Sequence, residues 1–228
     1  MRKLSDPVGA VTRRAARIRW RAIDAIAQVH RRVSDGSVAL TFDDGPHPGS
    51  TDLVLEILAE LGVSATFFCV GKNVLAYPDL ARRIRASGHA VGSHSFTHPD
   101  PEKTALSALA RDYVRGRRAL VEVLGEDTGL FRPPRGHLDV ASAALVRRLG
   151  LRPWLWSLDP EDWRPGAVQV DIEASAGQAT AGDVVLLHDW IEQPWAPEAL
   201  NRSATIDALV EIVSRVRERG LTFRSLTR

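Results

Sequence analysis

The sequence holds one cysteine, Cys69, so no internal disulfide can form and nothing calls for an oxidising compartment. No run approaches the roughly 18 apolar residues needed to span a bilayer. Lysine is scarce as well, with three of the 30 basic residues. Internal repeats and low-complexity tracts are missing. Together these absences exclude a disulfide-framed module, a membrane-spanning bundle, a fibre and a disordered tail. What remains is 228 residues of ordinary globular make-up, 44% hydrophobic and 25% charged. That length suffices for one sizeable domain with a full core.

The net charge of +2 is unevenly spread. Residues 1–35 carry nine Lys/Arg against Asp6, Asp24 and Asp35, a local +6 that leaves the remainder at −4. A mildly acidic body argues against a nucleic-acid partner. Apolar residues at Val11, Ala15, Ile18, Ala22, Ile26, Val29 and Val33 fall on one helical stripe. Residues 1–35 are therefore expected to form a basic amphipathic N-terminal helix, set before a domain over residues 36–228. Such a helix packs on the body or makes peripheral contact with an anionic membrane surface. The apolar stretch from Val8 to Val11 is too short for a signal-peptide core, which points to a cytoplasmic location.

After Gly36 the pattern becomes strand–helix alternation. Strands are expected at Val38–Phe42, Ala65–Val70, His89–Gly92, Leu130–Phe131, Trp154–Leu158, Val184–His188 and Leu221–Arg224. Helices are expected at Thr51–Leu61, Pro78–Ser87, Lys103–Leu124, Asp139–Leu149, Val170–Ala176 and Ser203–Arg219, several ended by glycine. Alternation of this kind implies parallel strands covered by helices, an α/β fold. Asp43 and Asp44, His94 and His98, Arg132, Asp159 and His188 each follow or end a different strand. A barrel gathers such ends into one cup, whereas an open sheet spreads them along a line. The barrel is favoured.

Asp44, His94 and His98 are metal-ligand types, and the His94-Ser95-Phe96-Thr97-His98 spacing lets two imidazoles face one ion. One carboxylate and two imidazoles leave positions open for water and substrate, which is the catalytic kind of site. With Asp44 as ligand, Asp43 is free to act as general base towards water activated by the ion. Arg132 is the natural partner to keep Asp43 ionised. His188 suits protonation of a leaving amine, with a carboxylate such as Asp159 setting its tautomer. The turn Arg132-Pro133-Pro134-Arg135-Gly136 has N–H groups, beginning at Arg135, able to meet an oxyanion. Trp154 and Trp156 are assigned to the core, and Trp163 and Trp190 to the walls of the site. Cys69, within an apolar strand, reads as an inert buried thiol.

Thr41-Phe42-Asp43-Asp44-Gly45-Pro46, His94-Ser95-Phe96-Thr97-His98, Arg132-Pro133-Pro134-Arg135-Gly136, Asp159-Pro160-Glu161-Asp162-Trp163 and Leu186-Leu187-His188-Asp189 together resemble the five ordered motifs of the polysaccharide deacetylases. This is the NodB-homology group, carbohydrate esterase family 4. The likeness runs from Ser37 to Arg224. It implies a distorted (β/α)7 barrel and a divalent metal, usually zinc, with cobalt, nickel or manganese as substitutes. Motif by motif, it implies Asp44, His94 and His98 as ligands, Asp43 as base and His188 as acid tuned by Asp159. It also implies Arg132 as the partner of Asp43, the Arg135 N–H at the oxyanion, and Trp163 with Leu187 around the acetyl group. The implied reaction is hydrolysis of an N-acetyl amide on an amino sugar or glycoconjugate, expected to be an N-acetylhexosamine-containing biosynthetic intermediate or an oligosaccharide. Arg135 departs from the pattern, because an aromatic residue is usual there; it suits a phosphate or carboxylate on the substrate. A deformylase or deacetylase of a lipid-linked amino sugar is the first alternative, and a non-catalytic glycan-binding barrel the second. The competent residue types at every catalytic position count against the latter.

Overall fold

In the computed structural model, which describes residues 21–227, the strand Ala39–Asp43 (β1) is buried along its whole length. Around it lie Thr66–Cys69 (β2), Ala90–Ser93 (β3), Leu130–Phe131 (β4), Arg152–Pro153 (β5) and Val184–His188 (β6). These six parallel strands are ordered β5-β4-β3-β2-β1-β6 among the described residues. Helices at Thr51–Leu61, Gly71–Ala76, Pro78–Ala86, Leu106–Leu124, Val140–Arg148, Gln169–Ala176 and Ser203–Glu218 fill the crossovers. Only Gly71–Ala76 was not expected. The fold is α/β, a curled sheet of the distorted (β/α) barrel kind.

Strand alternation sorts the side chains into two sets. Leu40, Phe42, Phe67, Val185 and Leu187 pack outward with Val54, Leu58, Leu209 and Val213 of the covering helices. Ala39, Phe68, Leu130, Trp154 and Val184 fill the interior. Gly92 belongs to the inner set because a Cβ there would lie 2.7 Å from the Phe68 ring. Each strand thus presents its inner face towards one end where the polar residues gather.

The seam between β5 and β6 is closed without regular strands. Leu158 pairs with Val185, so the chain after β5 crosses to the far edge strand. Below it, His30 pairs with Trp154 and Arg32 with Asp183, so the extended segment 30–33 fills the rest of the gap. The fifth strand accordingly lies at Arg152–Pro153, before the expected Trp154–Leu158, where only Trp154 and Leu158 keep isolated pairings. The seventh is reduced to a single pair, Phe223 with Val38. β2 begins opposite Thr41, and residues 222–224 pair beside it with Val38, the residue just before β1.

The N-terminal expectation is corrected too. Among the described residues the N-terminal helix covers only 21–27, Gln28 turns into the left-handed region at φ 56°, and the chain then runs extended. Ile23 and Ala27, not Ala22, are its buried residues, packed on Tyr113, Phe131 and Val146. The stripe positions Val11, Ala15 and Ile18 lie outside the described residues. So does most of the basic arm on which the membrane expectation rests. Among the described residues no helix is long and apolar enough to cross a membrane.

Candidate active site

Asp43 ends β1, and the chain turns at once: Asp44 takes a left-handed φ of 78°. Aspartate tolerates that conformation better than most side chains. The His94–His98 segment is a tight loop, not a helical turn, with Ser95 and His98 at φ 67° and 55°. Asp112, on the helix Leu106–Leu124, pins this loop by accepting from Phe96 N at 2.8 Å and from Thr97 Oγ1 at 2.7 Å. Gly116 on the same helix lets it approach, since a Cβ would stand 2.4 Å from the Ser95 carbonyl carbon.

The result brings Asp44, His94 and His98 together, all buried, with one ligand atom from each within 4.8 Å of the others. Asp44 Oδ1 is 3.4 Å from His94 Nε2 and 3.5 Å from His98 Nε2. It is buried without a hydrogen-bond partner. Bonds of about 2.0–2.1 Å at tetrahedral angles place ligand atoms roughly 3.3–3.4 Å apart, so the three atoms fit a divalent ion. Their surroundings prepare them. His94 Nδ1 donates to the Arg132 carbonyl at 2.7 Å, which turns the Nε2 lone pair inward. Asp44 Oδ2 accepts from Glu192 N at 2.9 Å. Burial, with His94 and Arg135 nearby, depresses His98 to about 4 against the pull of Asp44, so its imidazole is neutral and free to ligate.

Beside this cluster, Asp43 Oδ1 accepts from Arg132 Nη1 at 2.7 Å. Arg132 is fully buried, lies 4.2 Å over the Phe68 ring, and also donates to Thr41 Oγ1 and to the Trp154 carbonyl. Such a clamp fixes the orientation of the Asp43 carboxylate at the cleft floor. Removing one partner of a buried pair of this kind costs about 3–5 kcal/mol.

His188 ends β6 opposite Asp43. Its Nδ1 is 2.8 Å from Asp162 Oδ1, and its backbone N–H donates to Asp162 Oδ2 at 2.9 Å. Burial disfavours the imidazolium, but Asp162, with Asp44 and Asp43 behind it, outweighs that and raises His188 to about 9. The carboxylate role expected of Asp159 therefore falls to Asp162. Asp159 uses its carboxylate locally, accepting from Glu161 N at 2.8 Å in an Asx turn. It remains at the edge of the cleft, where burial raises its pKa.

A cleft of about 310 Å³ opens over these groups. Asp43, Asp44, His94, His98 and His188 form its floor, with Trp163, Trp156, Trp195, Leu186 and Arg135 among its walls. Two assignments change. Leu186, not Leu187, faces the cleft, because it shares the strand face of His188 while Leu187 packs outward. Trp156 packs against the inner cluster as expected but is also a wall of the cleft, whereas Trp190 stacks on His47 at 3.6 Å and is not among the lining residues. Trp195 was not foreseen as a wall; it is 73% exposed and meets Trp163 edge to face. Arg135 stands at the lip in a left-handed turn, φ 58°, with Nε 4.0 Å from Asp100 Oδ2.

A buried carboxylate missed by the sequence reading supports the Asp43–Asp44 turn. Asp189 accepts from Thr51 Oγ1 at 2.5 Å and from Gly45 N at 3.3 Å. Its position after His188 was the available signal, since a polar residue just beyond a buried strand needs a partner. Burial pushes its pKa to about 7.

Comparison with known proteins agrees with this geometry. The family profile described as "Polysaccharide deacetylase" matches residues 30–154. The chain belongs to the polysaccharide deacetylase family. It is 37% identical over 202 residues to a chitooligosaccharide deacetylase of Rhizobium leguminosarum bv. trifolii, covering 84% of this chain and 91% of the relative. It is 32% identical over 188 residues to a peptidoglycan-N-acetylglucosamine deacetylase of Bacillus cereus, covering 82% and 84%. Among solved structures, a family 4 carbohydrate esterase from Streptomyces lividans in complex with acetate superposes with a TM-score of 0.75 at 29% identity. That match covers 86% of this chain and 95% of the other. As a polysaccharide deacetylase the chain has a ready use for each group on the cleft floor.

Proposed function

We propose that this polysaccharide deacetylase hydrolyses the N-acetyl group of an N-acetylglucosamine-type residue in an oligosaccharide or glycan, giving a free amine and acetate. The observation that carries the reading is the flanking of one metal-ligand cluster by two oppositely prepared groups. Asp43 accepts from the buried Arg132, and His188 is held as a cation by Asp162. A base and an acid kept apart in this way suit the two proton transfers of amide hydrolysis.

A divalent ion held by Asp44, His94 and His98 supplies, when bound, Lewis acidity towards the acetyl oxygen and a lowered pKa for water. The mixed oxygen and nitrogen donors favour zinc. Asp43 takes a proton from the attacking water as the water oxygen bonds to the acetyl carbon. The Arg135 backbone N–H is assigned to the charge that develops on the acetyl oxygen. The C–N bond then breaks with its electron pair passing to nitrogen, which receives the proton of His188. Trp163, Trp156 and Leu186 shape the space for the acetyl group and the sugar face, a common use of indole rings.

Acetate release from chitooligosaccharides and from peptidoglycan fragments, with zinc or cobalt and with a chelator, tests the reading; formate is measured in parallel. Chelator-sensitive acetate release from either substrate is the expected result. Silence on both, with tightly bound metal, would overturn it.

A further inference from the structure

Asp162 Oδ2 accepts three donors at once. Besides His188 N, these are Arg202 Nη2 at 2.8 Å and Thr205 Oγ1 at 2.9 Å. Arg202 precedes the helix Ser203–Glu218, and Thr205 lies in its first turn; both are buried, at 4% and 1% exposure. The guanidinium reaches both halves of the acid pair. Its Nε donates to the His188 carbonyl at 3.3 Å and its Nη2 to the Asp162 carbonyl at 2.9 Å. Nη1 donates to the Ala199 carbonyl, and Nη2 also lies within reach of Thr205 Oγ1 at 2.6 Å, sharing its two hydrogens among three acceptors in one small region. Resting on the reading above, we infer that Arg202 and Thr205 are positioning residues for the acid step, holding Asp162 so that His188 presents its Nε2 proton to the leaving amine.

The physical reason is the state of Asp162 without them. Its side chain is fully enclosed, and a buried carboxylate with a single partner tends to take up a proton. A protonated Asp162 no longer fixes the Nδ1–H of His188, and the imidazole loses both its charge and its aim. Arg202 supplies the opposing charge on the oxygen turned away from His188, leaving Oδ1 to the imidazole alone. Thr205 fills the last lone-pair direction with its hydroxyl proton.

A merely structural role predicts a different pattern from a role in the acid step. Amide cleavage needs the departing nitrogen to be protonated, whereas an activated aryl acetate loses its phenolate without that proton. Arg202→Gln is expected to lower kcat for N-acetyl amide cleavage ~10–100-fold. Thr205→Val, which keeps the shape and removes the hydroxyl, is expected to lower it ~3–10-fold. Aryl acetate hydrolysis falls much less in both, and KM and metal content stay near wild type. In proton NMR, the His188 Nδ1–H signal of the wild type lies far downfield; it broadens or moves upfield in each variant. Equal losses on amide and ester, undiminished amide turnover, or an unchanged Nδ1–H signal would overturn the inference. A wild-type protein that releases no acetate sinks the proposed function instead, and the NMR comparison still decides the inference.

Discussion

Asp162 Oδ1, on a fully buried side chain, stands 2.8 Å from His188 Nδ1, and Asp159, three residues earlier, makes its own bond to Glu161 N. The two acids of one short motif thus have separate tasks, and their substitution should separate them. Asp162→Asn is expected to lower amide turnover by about 100-fold or more, and Asp159→Asn by less than about tenfold. Steady-state kcat on a chitooligosaccharide checks both.

The same pair sets a pH limit. His188 is raised from 6.5 to about 9, so its acid form is present at neutral pH and is lost as pH rises through about 9. Turnover should decline across that range. Stability contributed by the pair is complete below 6.5, the ordinary value of a histidine side chain, and disappears over the same alkaline range, lowering the thermal midpoint. In Asp162→Asn the alkaline limb of kcat is expected to move down towards neutrality. A limb in the wild-type position would show that another group titrates.

Asp43→Asn removes the base and leaves the three ligand residues intact. Bound metal per chain should stay unchanged while turnover falls by about 10²–10⁴-fold. Metal analysis beside kinetics distinguishes this from damage to the ligand set.

His98→Ala removes one ligand atom of the cluster. Metal and activity are expected to be lost together. Full metal occupancy in this variant would mean that the ion is held elsewhere.

Gly45→Ala tests the support beneath the first motif. An added Cβ would lie 2.0 Å from Asp189 Oδ2, so either the turn or the carboxylate must shift. A cost of about 1–3 kcal/mol in denaturant unfolding is expected, with weaker metal retention because Asp44 is the adjoining residue.

Much of this site is legible in sequence because β-structure fixes direction. Asp43, His94, Arg132 and His188 follow strands whose apolar runs are plain, and parallel strands bring their ends to one side. The period of two would also have picked Leu186 over Leu187, since it shares a face with His188. The choice between Asp159 and Asp162 was less accessible. Asp-Pro favours a turn in which the first carboxylate is used locally, but only the fold shows which acid reaches across to β6. Arg202 and Thr205 were harder still, because they act from a helix start that no catalytic spacing marks. The displaced fifth strand and the reduced seventh went unseen for another reason. Propensity describes a segment, whereas ladder length depends on which edge is still free.

The seam between β5 and β6 separates two kinds of constraint. Trp156 and Asp159 belong to the stretch that bridges it, where pairing is reduced to isolated contacts, while Asp43, Asp44, His94 and His188 sit on or directly after regular strands and His98 is held by the loop that Asp112 pins. Residues in the seam can change size or charge without disturbing a ladder that also aligns the metal cluster. Substrate range and reaction chemistry are therefore separately adjustable in this scaffold. Relatives that share the chemistry are free to diverge in the glycans they accept.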